Sequence, residues 1–265
     1  MSQQLSLEEI REFWSQQAIL HGQKPDASWS DYRVIEMEIR EIISFLQDGD
    51  RVLDVGCANG FSSIQFVMSK ALRVHGVDYI PEMIDMARQR LSSAAPEVRE
   101  RLSFAVGDAM DLSAFRGQYD KVVVVRVIIN LGEWPDQLRA IQESCQALKP
   151  GGLLIMSEAT IQGWQKLNDL RREWGLEDIA MPGFNNYLDC DKVVESLSPG
   201  MKLEKIVNFA STYFVGTRVL KPLLIRSCKV AQDAASPDME FNRFFSMLPA
   251  VGDYGTQKLF VFRKS

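Results

Sequence analysis

Residues 52–60, with the sequence VLDVGCANG, decide the fold of this chain. A β-branched run enters a glycine turn at Gly56, and an amphipathic stretch follows Gly60, which predicts a strand, a tight turn and a helix. Glycine tolerates positive φ there and lets the backbone approach a ligand closely. A nicotinamide-binding turn would read G-x-G-x-x-G and hold a pyrophosphate. Here the spacing is G-x-x-x-G, and the carboxylate of Asp54 would repel a pyrophosphate but suits a cationic group.

Two further acids end the next two predicted strands. Asp78 follows Gly60 by 18 residues, and Asp108 follows Asp78 by 30. The carboxyl ends of parallel strands meet at one edge of a sheet, which is where open α/β sheets bind ligands. Asp78 can accept from both hydroxyls of a ribose, and Asp108 can accept from an adenine amino group. The three acids therefore indicate a ligand with an amine, a ribose diol and an adenine, and without phosphate.

These motifs resemble those of the class I S-adenosylmethionine-dependent methyltransferases, over about residues 34–160 and the predicted last strand at 258–262. The resemblance implies S-adenosylmethionine as the cofactor and a mostly parallel sheet whose final strand is antiparallel. It also implies a set of cofactor-binding residues, which are Asp54, Gly56, Cys57, Ala58 and Gly60 near the methionine amine, Asp78, Tyr79 and Met83 at the ribose and adenine, Asp108, Ala109 and Met110 around the adenine, and Arg126 facing the methionine portion. Ala58 departs from the family pattern, since many members carry glycine at that position.

Short β-branched runs alternate with amphipathic stretches along most of the chain, which predicts an α/β fold with a doubly wound, seven-stranded sheet. The predicted strands are 51–55, 73–78, 102–106, 121–125, 153–157, 203–210 and 258–262, and the predicted helices lie near 61–70, 81–92, 135–148 and 190–197. Four consecutive valines at 122–125 are typical of a central strand that is buried on both faces.

The chain reads as a single Rossmann-like domain over 1–265 with three additions. Residues 1–48 are predicted to form an N-terminal helical cap, whose first helix has the capping-box pair Ser6 and Glu9. Residues 158–189 and 211–255 are too long and too aromatic for simple connections, and we expect them to be lid inserts.

Composition excludes several classes of protein. The 265 residues are 46% hydrophobic and 25% charged, as in ordinary globular domains, and the net charge of −5 does not favour nucleic acid as a partner. We expect no signal peptide and no transmembrane segment, because no apolar run is long enough. Four cysteines without CxxC spacing indicate free thiols in a cytoplasmic protein. No metal is expected, because Arg126 stands where metal-dependent members would need an acid.

Three residues are candidates for catalysis beyond cofactor binding. His21 lies in a break of the N-terminal helices and is either a base or a surface histidine. Asn130 follows the fourth strand and either faces the substrate or caps a helix. Glu158 follows the fifth strand and is either a base or a cap of the insert. The second histidine, His75, is mid-strand and is expected to be structural.

The predicted function is methyl transfer to a small or medium metabolite, with a sugar or glycan end as one candidate and oxygen or nitrogen as the acceptor atom. The alternatives are an RNA or protein methyltransferase, and a non-catalytic protein that binds S-adenosylmethionine. A run without acids contains four cations, Arg218, Lys221, Arg226 and Lys229. Three interpretations of this run are open. It could form a solvated helix face, bind an anionic acceptor, or contact a lipid-linked substrate at a membrane surface.

Overall fold

The computed structural model describes residues 5–24, 27–228 and 236–265. Seven strands in this part of the chain form one sheet with the order β3-β2-β1-β4-β5-β7-β6. The strands are β1 Arg51–Val55, β2 Arg73–Asp78, β3 Leu102–Val106, β4 Tyr119–Val125, β5 Leu148–Ala159, β6 Met201–Val207 and β7 Gln257–Lys264. Strand β7 is antiparallel to both of its neighbours, and the other pairs are parallel. The predicted doubly wound sheet with an antiparallel final strand is confirmed.

The valine run in β4 shows why the sheet is central. Val122 and Val124 lie in one hydrophobic cluster and Val123 lies in the other, and all three are fully buried. Successive side chains of a strand point to opposite faces, so apolar helices must cover both sides of this strand.

The helices cover the two faces of the sheet and its ligand edge. Their bounds are α1 Leu7–His21, α2 Tyr32–Ser44, α3 Phe61–Ser69, α4 Pro81–Ser92, α5 Pro96–Arg99, α6 Trp134–Ala147, α7 Ile161–Glu173, α8 Cys190–Leu197, α9 Ser211–Phe214, α10 Lys221–Ser227 and α11 Glu240–Met247. A π-helical segment, Val215–Leu220, joins α9 to α10. The capping box of α1 forms as predicted, since Ser6 Oγ accepts from Glu9 N at 3.3 Å and Glu9 Oε2 accepts from Ser6 N at 2.8 Å.

Only part of the predicted N-terminal cap covers the ligand edge. The apolar face of α2, which includes Val34, Ile35 and Ile42, is buried in the same cluster as Val123 of β4. Helix α2 therefore belongs to the layer on the sheet, whereas α1 and residues 27–30 line the ligand cavity described below.

The two predicted inserts differ in position. Residues 158–189 begin within β5, continue through α7 and return as an extended segment beside the ligand edge, where Leu188 N donates to Ala159 O at 3.0 Å. The described residues of 211–255 include α9, α10 and α11, and α11 packs against α2. Strand β6 ends at Val207, three residues earlier than predicted. The side chain of Asn208 turns the chain there by donating to Gly252 O at 3.0 Å.

Candidate functional site

A cavity of about 730 Å³ opens at the carboxyl edge of the sheet. It brings together every predicted cofactor-binding residue except Gly60, and it also contains His21 and Asn130. The order of the strands in the sheet divides this cavity into two halves. We call the side formed after β1, β2 and β3 the donor half, and the side formed by α1, residues 126–131, residues 181–187 and residues 256–257 the acceptor half.

The turn after β1 depends on its backbone conformation. Gly56 has φ +72°, and a Cβ built on it would lie 2.0 Å from Cγ2 of Val127. A side chain at this position is excluded by the neighbouring loop as well as by the φ angle. Ala58 also has a positive φ, +46°, which explains why glycine suits this position.

Asp54 closes the bottom of the donor half. Its side chain is buried, and Oδ2 accepts from Ser63 Oγ at 2.5 Å. Burial raises the pKa of Asp54 to about 6, because the charged form is poorly solvated there. A cationic group of a bound ligand would stabilise the charged form of Asp54.

Asp78 is held rigidly at the end of β2. Its Oδ2 accepts from Ala58 N and its Oδ1 accepts from Ile80 N, both at 2.9 Å. Burial raises its pKa to about 6 despite these two bonds. Each carboxylate oxygen retains a lone pair, so the group can accept from two further hydroxyls.

The remaining donor-half residues line the cavity near the ends of β2 and β3. Asp108 is exposed, and its Oδ1 accepts from Met110 N at 2.8 Å. Met83 is buried in a cluster with Ala18 of α1. The guanidinium of Arg11 lies 5.8 Å from the ring centroid of Tyr79, whose pKa is raised to about 12 mainly by burial.

Arg126 stands at the border of the two halves in a left-handed conformation with φ +54°. Its guanidinium pairs with the buried carboxylate of Glu38 and lies 5.3 Å from the ring centroid of Trp29. Glu38 also accepts from the hydroxyl of Ser157. A non-glycine residue with positive φ is strained, and such strain is often kept at functional sites. Glu38 was not predicted as a site residue, although an acid on the apolar face of α2 was a signal for it.

Aromatic side chains form the walls of the acceptor half. The rings of Phe13 and Phe184 stack with centroids 4.6 Å apart, and Trp14 meets Phe13 edge-on at 5.0 Å. Asn130 connects this wall to the loop after β4, since Oδ1 accepts from Trp14 Nε1 at 3.3 Å and Nδ2 donates to Arg126 O at 2.6 Å. Asn130 therefore lies in the cavity and orients the wall.

The comparisons with known proteins agree with this arrangement. Residues 52–152 match the model of a family described as a methyltransferase domain. A 27-O-demethylrifamycin SV methyltransferase of Amycolatopsis mediterranei is 31% identical over 113 residues, which are 43% of this chain and 40% of that relative. The chain spans about two fifths of the length of this relative and of two other curated methyltransferases that it matches.

Two solved structures share the fold over nearly the whole chain. Magnesium protoporphyrin IX methyltransferase ChlM from Synechocystis PCC 6803, solved with bound SAH, has a TM-score of 0.64 and 15% identity, and the match covers 98% of this chain and 100% of that one. Residues 52–152 are thus similar to the methyltransferase-domain family, and the chain shares the fold of this solved methyltransferase. The cyclase SpnF also has a TM-score of 0.64, with 17% identity over 99% of this chain and 98% of that one.

The donor half of the cavity fits S-adenosylmethionine. Carboxylates from Asp54, Asp78 and Asp108 line the cavity at the ends of three adjacent strands. Desolvated carboxylates favour an amine and a diol, both of which donate hydrogen bonds.

Within the described ranges, no group of three or more His, Cys, Asp or Glu side chains could hold a metal ion. In the same ranges, no helix has the length and apolarity needed to span a membrane.

Glu158 does not line the cavity. It is fully buried, and its carboxylate accepts from the backbone N–H groups of Val127, Ile128 and Ile129 at 2.9, 2.9 and 3.3 Å. Burial raises its pKa to about 8. The expected exposure to an acceptor is wrong, and Glu158 instead fixes the loop that carries Arg126 and Asn130.

His21 lines the cavity at the end of α1. Its neighbour Gly22 lies near Met86 of α4, and Asn59 Nδ2 donates to Gly22 O at 2.9 Å. His21 therefore lies at the end of α1 that is next to the turn after β1, and its role as a base stays a prediction. His75 bonds to Ser103 Oγ through Nδ1 at 2.8 Å, as expected of a structural histidine.

The basic run does not form an anion cradle. Arg218 pairs with the buried carboxylate of Asp31 at 2.6 Å, and Asp31 also accepts from Tyr213 Oη at 2.8 Å. Lys221 is buried and donates to Asn242 Oδ1 at 2.7 Å. Neither cation lines the cavity. Arg226 donates to a backbone carbonyl on the outside of the fold, and Lys229 lies outside the described residues.

These bonds give the 211–255 insert a different position from the one expected. Among its described residues, none lines the cavity. The insert instead anchors Asp31, which directly follows the cavity-lining residues 27–30. The insert at 158–189 does reach the cavity, through Pro182, Phe184, Asn185 and Tyr187.

Proposed function

We propose that this protein transfers the methyl group of S-adenosylmethionine to a small-molecule acceptor. The observation that supports it most directly is the shape of the cavity, in which three strand-end carboxylates face one half and an aromatic wall encloses the other. A cavity of about 730 Å³ falls in the range of roughly 300–1,000 Å³ that holds small ligands.

The donor half would hold S-adenosylmethionine through its own hydrogen-bonding capacity. Asp78 would accept from the ribose hydroxyls, and Asp108 with Ala109 and Met110 would surround the adenine. Asp54 and the turn at Gly56 would face the methionine amine. When bound, S-adenosylmethionine supplies a methyl carbon activated by its sulfonium.

The protein's contribution to the reaction is positioning. Glu158 fixes the loop after β4 through three backbone bonds, and Asn130 ties that loop to Trp14 of α1. The contact between Phe13 and Phe184 joins α1 to the loop at residues 182–187 on one wall of the cavity, which would help to exclude water from the reacting atoms. Aligning two reactants in this way supplies much of the rate enhancement of a displacement reaction.

The enclosed acceptor half favours a metabolite over RNA or protein. Its walls come from α1 and residues 182–187, and Leu5 N donates to Gly183 O at 2.9 Å across them. A macromolecular acceptor would need an open groove, and a nucleic acid would also need a basic surface, whereas the net charge is −5. Methylation at oxygen or nitrogen of a compact acceptor is the function that we infer.

A second function follows from the fold match to the cyclase SpnF, because that protein is named for a reaction other than methyl transfer. Under this alternative, the donor half would bind S-adenosylmethionine or its product without turnover. Two measurements separate the alternatives, one of binding and one of transfer.

Binding of S-adenosylhomocysteine is measured first, by calorimetry on the wild type and on Asp78→Asn. The variant should lose about 10-fold or more in affinity, because a charge-assisted bond is worth roughly 1.5–3 kcal/mol. Asp85→Asn is the matched control, since Asp85 lies on α4, is exposed and does not line the cavity. Equal affinities in all three proteins would refute the donor assignment.

Transfer is measured second, with S-adenosylmethionine labelled in its methyl group and fractions of a metabolite extract. Label should enter a small molecule in the wild type and not in Asp78→Asn. Tight binding of S-adenosylhomocysteine with no transfer to any fraction would favour the non-transferring alternative.

A further inference from the structure

The three carbonyl groups that follow α1 are bound by two side chains from the donor side of the molecule. Nδ2 of Asn59 donates to Gly22 O at 2.9 Å and to Lys24 O at 2.8 Å. Nη2 of Arg90, on α4, donates to Gln23 O, the carbonyl between them. Arg90 also holds Asn59, since its Nε donates to Asn59 O at 3.0 Å. The end of α1 is therefore fixed by two residues that are at least 35 positions away in the chain.

Asn59 belongs to the turn that follows β1. It is only 3% exposed, it lines the cavity, and it lies between Ala58 and Gly60. The backbone N–H of Ala58 donates to Oδ2 of Asp78 at 2.9 Å. A continuous series of contacts therefore runs from the carboxylate proposed to hold the ribose, through the turn, to the end of α1.

The conformation of this turn gives a bound ligand something to stabilise. Ala58 has φ +46°, and a residue other than glycine keeps such a strained conformation only while its surroundings favour it. A ligand that binds Asp78 would add a contact on the far side of the bond to Ala58. Occupation of the donor half should therefore stabilise the turn and, with it, the position of Asn59.

Helix α1 extends from this anchored end to the acceptor half. The ring of Phe13 stacks on Phe184, and Trp14 Nε1 donates to Asn130 Oδ1 at 3.3 Å. A hydrogen-bonded helix moves as a stiff unit, so a shift at its end also displaces these aromatic side chains. The aromatic wall of the acceptor half therefore depends on the anchor at residues 22–24.

We propose, on the basis of the proposed function, that Asn59 and Arg90 are positioning residues that couple the acceptor half to the donor half. S-adenosylmethionine in the donor half stabilises the turn after β1. The turn holds the end of α1 through Asn59, and Arg90, which does not line the cavity, supports both. The aromatic wall is complete while the donor half is occupied, and release of S-adenosylhomocysteine loosens it.

Hydrogen–deuterium exchange of the amides of α1, followed by mass spectrometry, measures this coupling. The quantity to compare is the ratio of the exchange rates without and with S-adenosylhomocysteine, at concentrations that calorimetry shows to saturate each protein. A residue that only stabilises α1 changes both rates by the same factor and leaves this ratio unchanged. A coupling residue changes the ratio itself. Failure of S-adenosylhomocysteine to bind the wild type would count against the proposed function, whereas the ratio tests the coupling alone.

S-adenosylhomocysteine should slow exchange in α1 of the wild type about 10-fold or more. Asn59→Ala and Arg90→Met each remove two of the bonds described above, and each should reduce this ratio to about 3-fold or less. Arg88→Met is the matched control, because it makes the same change two residues earlier on α4, at an exposed side chain that pairs with Asp85. This control should keep the wild-type ratio.

Three results would overturn the proposal. The first is a wild type that binds S-adenosylhomocysteine without slower exchange in α1. The second is a wild-type ratio retained in Asn59→Ala or in Arg90→Met, since α1 would then be protected by direct contact with the ligand. The third is a ratio that falls as far in Arg88→Met as in Arg90→Met.

Discussion

Acidification should weaken the binding of S-adenosylhomocysteine, and the size of the effect follows from two carboxylates. Asp54 and Asp78 both have a pKa raised to about 6 by burial. Both are proposed to accept hydrogen bonds from the ligand as carboxylates. A raised pKa means that protonation begins at an unusually high pH, so affinity should be full near pH 8 and should fall as the pH decreases through 6.

The magnitude can be worked out from the ionised fraction. A group with a pKa of about 6 is only about one-tenth ionised near pH 5, so a ligand that needs one carboxylate loses about 10-fold in affinity. A ligand that needs both loses about 100-fold. S-adenosylhomocysteine itself gains or loses no proton between pH 5 and 7, so the protein dominates the change.

Calorimetric titrations from about pH 8 to about pH 5 measure this dependence. Asp78→Asn should bind weakly at every pH and should show the shallower dependence of one carboxylate. Asp85→Asn should follow the wild type, because Asp85 is exposed on α4. An affinity for S-adenosylhomocysteine that stays constant down to pH 5 in the wild type would refute the reasoning.

Three further predictions concern stability. Asp54→Asn should stabilise the ligand-free protein near pH 8 by up to about 3 kcal/mol, because the raised pKa makes the charged form costly above 6, and thermal melting should show this gain vanish near pH 4. Gly56→Ala should lower the free energy of unfolding by several kcal/mol more than Gly151→Ala, since both sites have φ above +70° but only the first has an atom 2.0 Å from the new Cβ. Arg218→Met should cost about 3 kcal/mol in urea denaturation, because it leaves the buried carboxylate of Asp31 without a cation, and Asp31→Asn in the same protein should recover part of the loss. Equal stability of the single variant and the wild type would contradict the role of this pair.

The donor half could be predicted from the sequence because its information is local. Asp54, Asp78 and Asp108 each end a strand whose β-branched run is visible in the sequence, and parallel strands bring their carboxyl ends together without further information. The same reasoning gave the capping box at Ser6, because both of its partners lie within one turn of helix.

The acceptor half could not be predicted, because its parts are far apart in the chain. Trp14 and Asn130 are 116 residues apart and meet through one hydrogen bond. Gln257 has no distinguishing sequence context, and only the register of β7 against β5 places it in the cavity. Contacts of this kind depend on tertiary packing, which a single sequence does not report.

The basic run was misleading for a physical reason. Charge without nearby acids in sequence suggested free cations, but Arg218 finds Asp31 at a separation of 187 residues. Glu158 was misplaced in a similar way. A carboxylate at a strand end suggested contact with substrate, and the three backbone N–H groups of the loop after β4 turned it inward.

The division of the cavity between the two sides of the sheet has a consequence for how this protein can diversify. Residues 54–110 supply the donor half from one continuous stretch, whereas the acceptor half is assembled from segments near both ends of the chain. Under the proposed function, substitutions in those outer segments would change which compound is recognised and would leave the binding of S-adenosylmethionine intact. Exchange of residues 181–187 between relatives of this fold is therefore a direct route to new acceptor ranges.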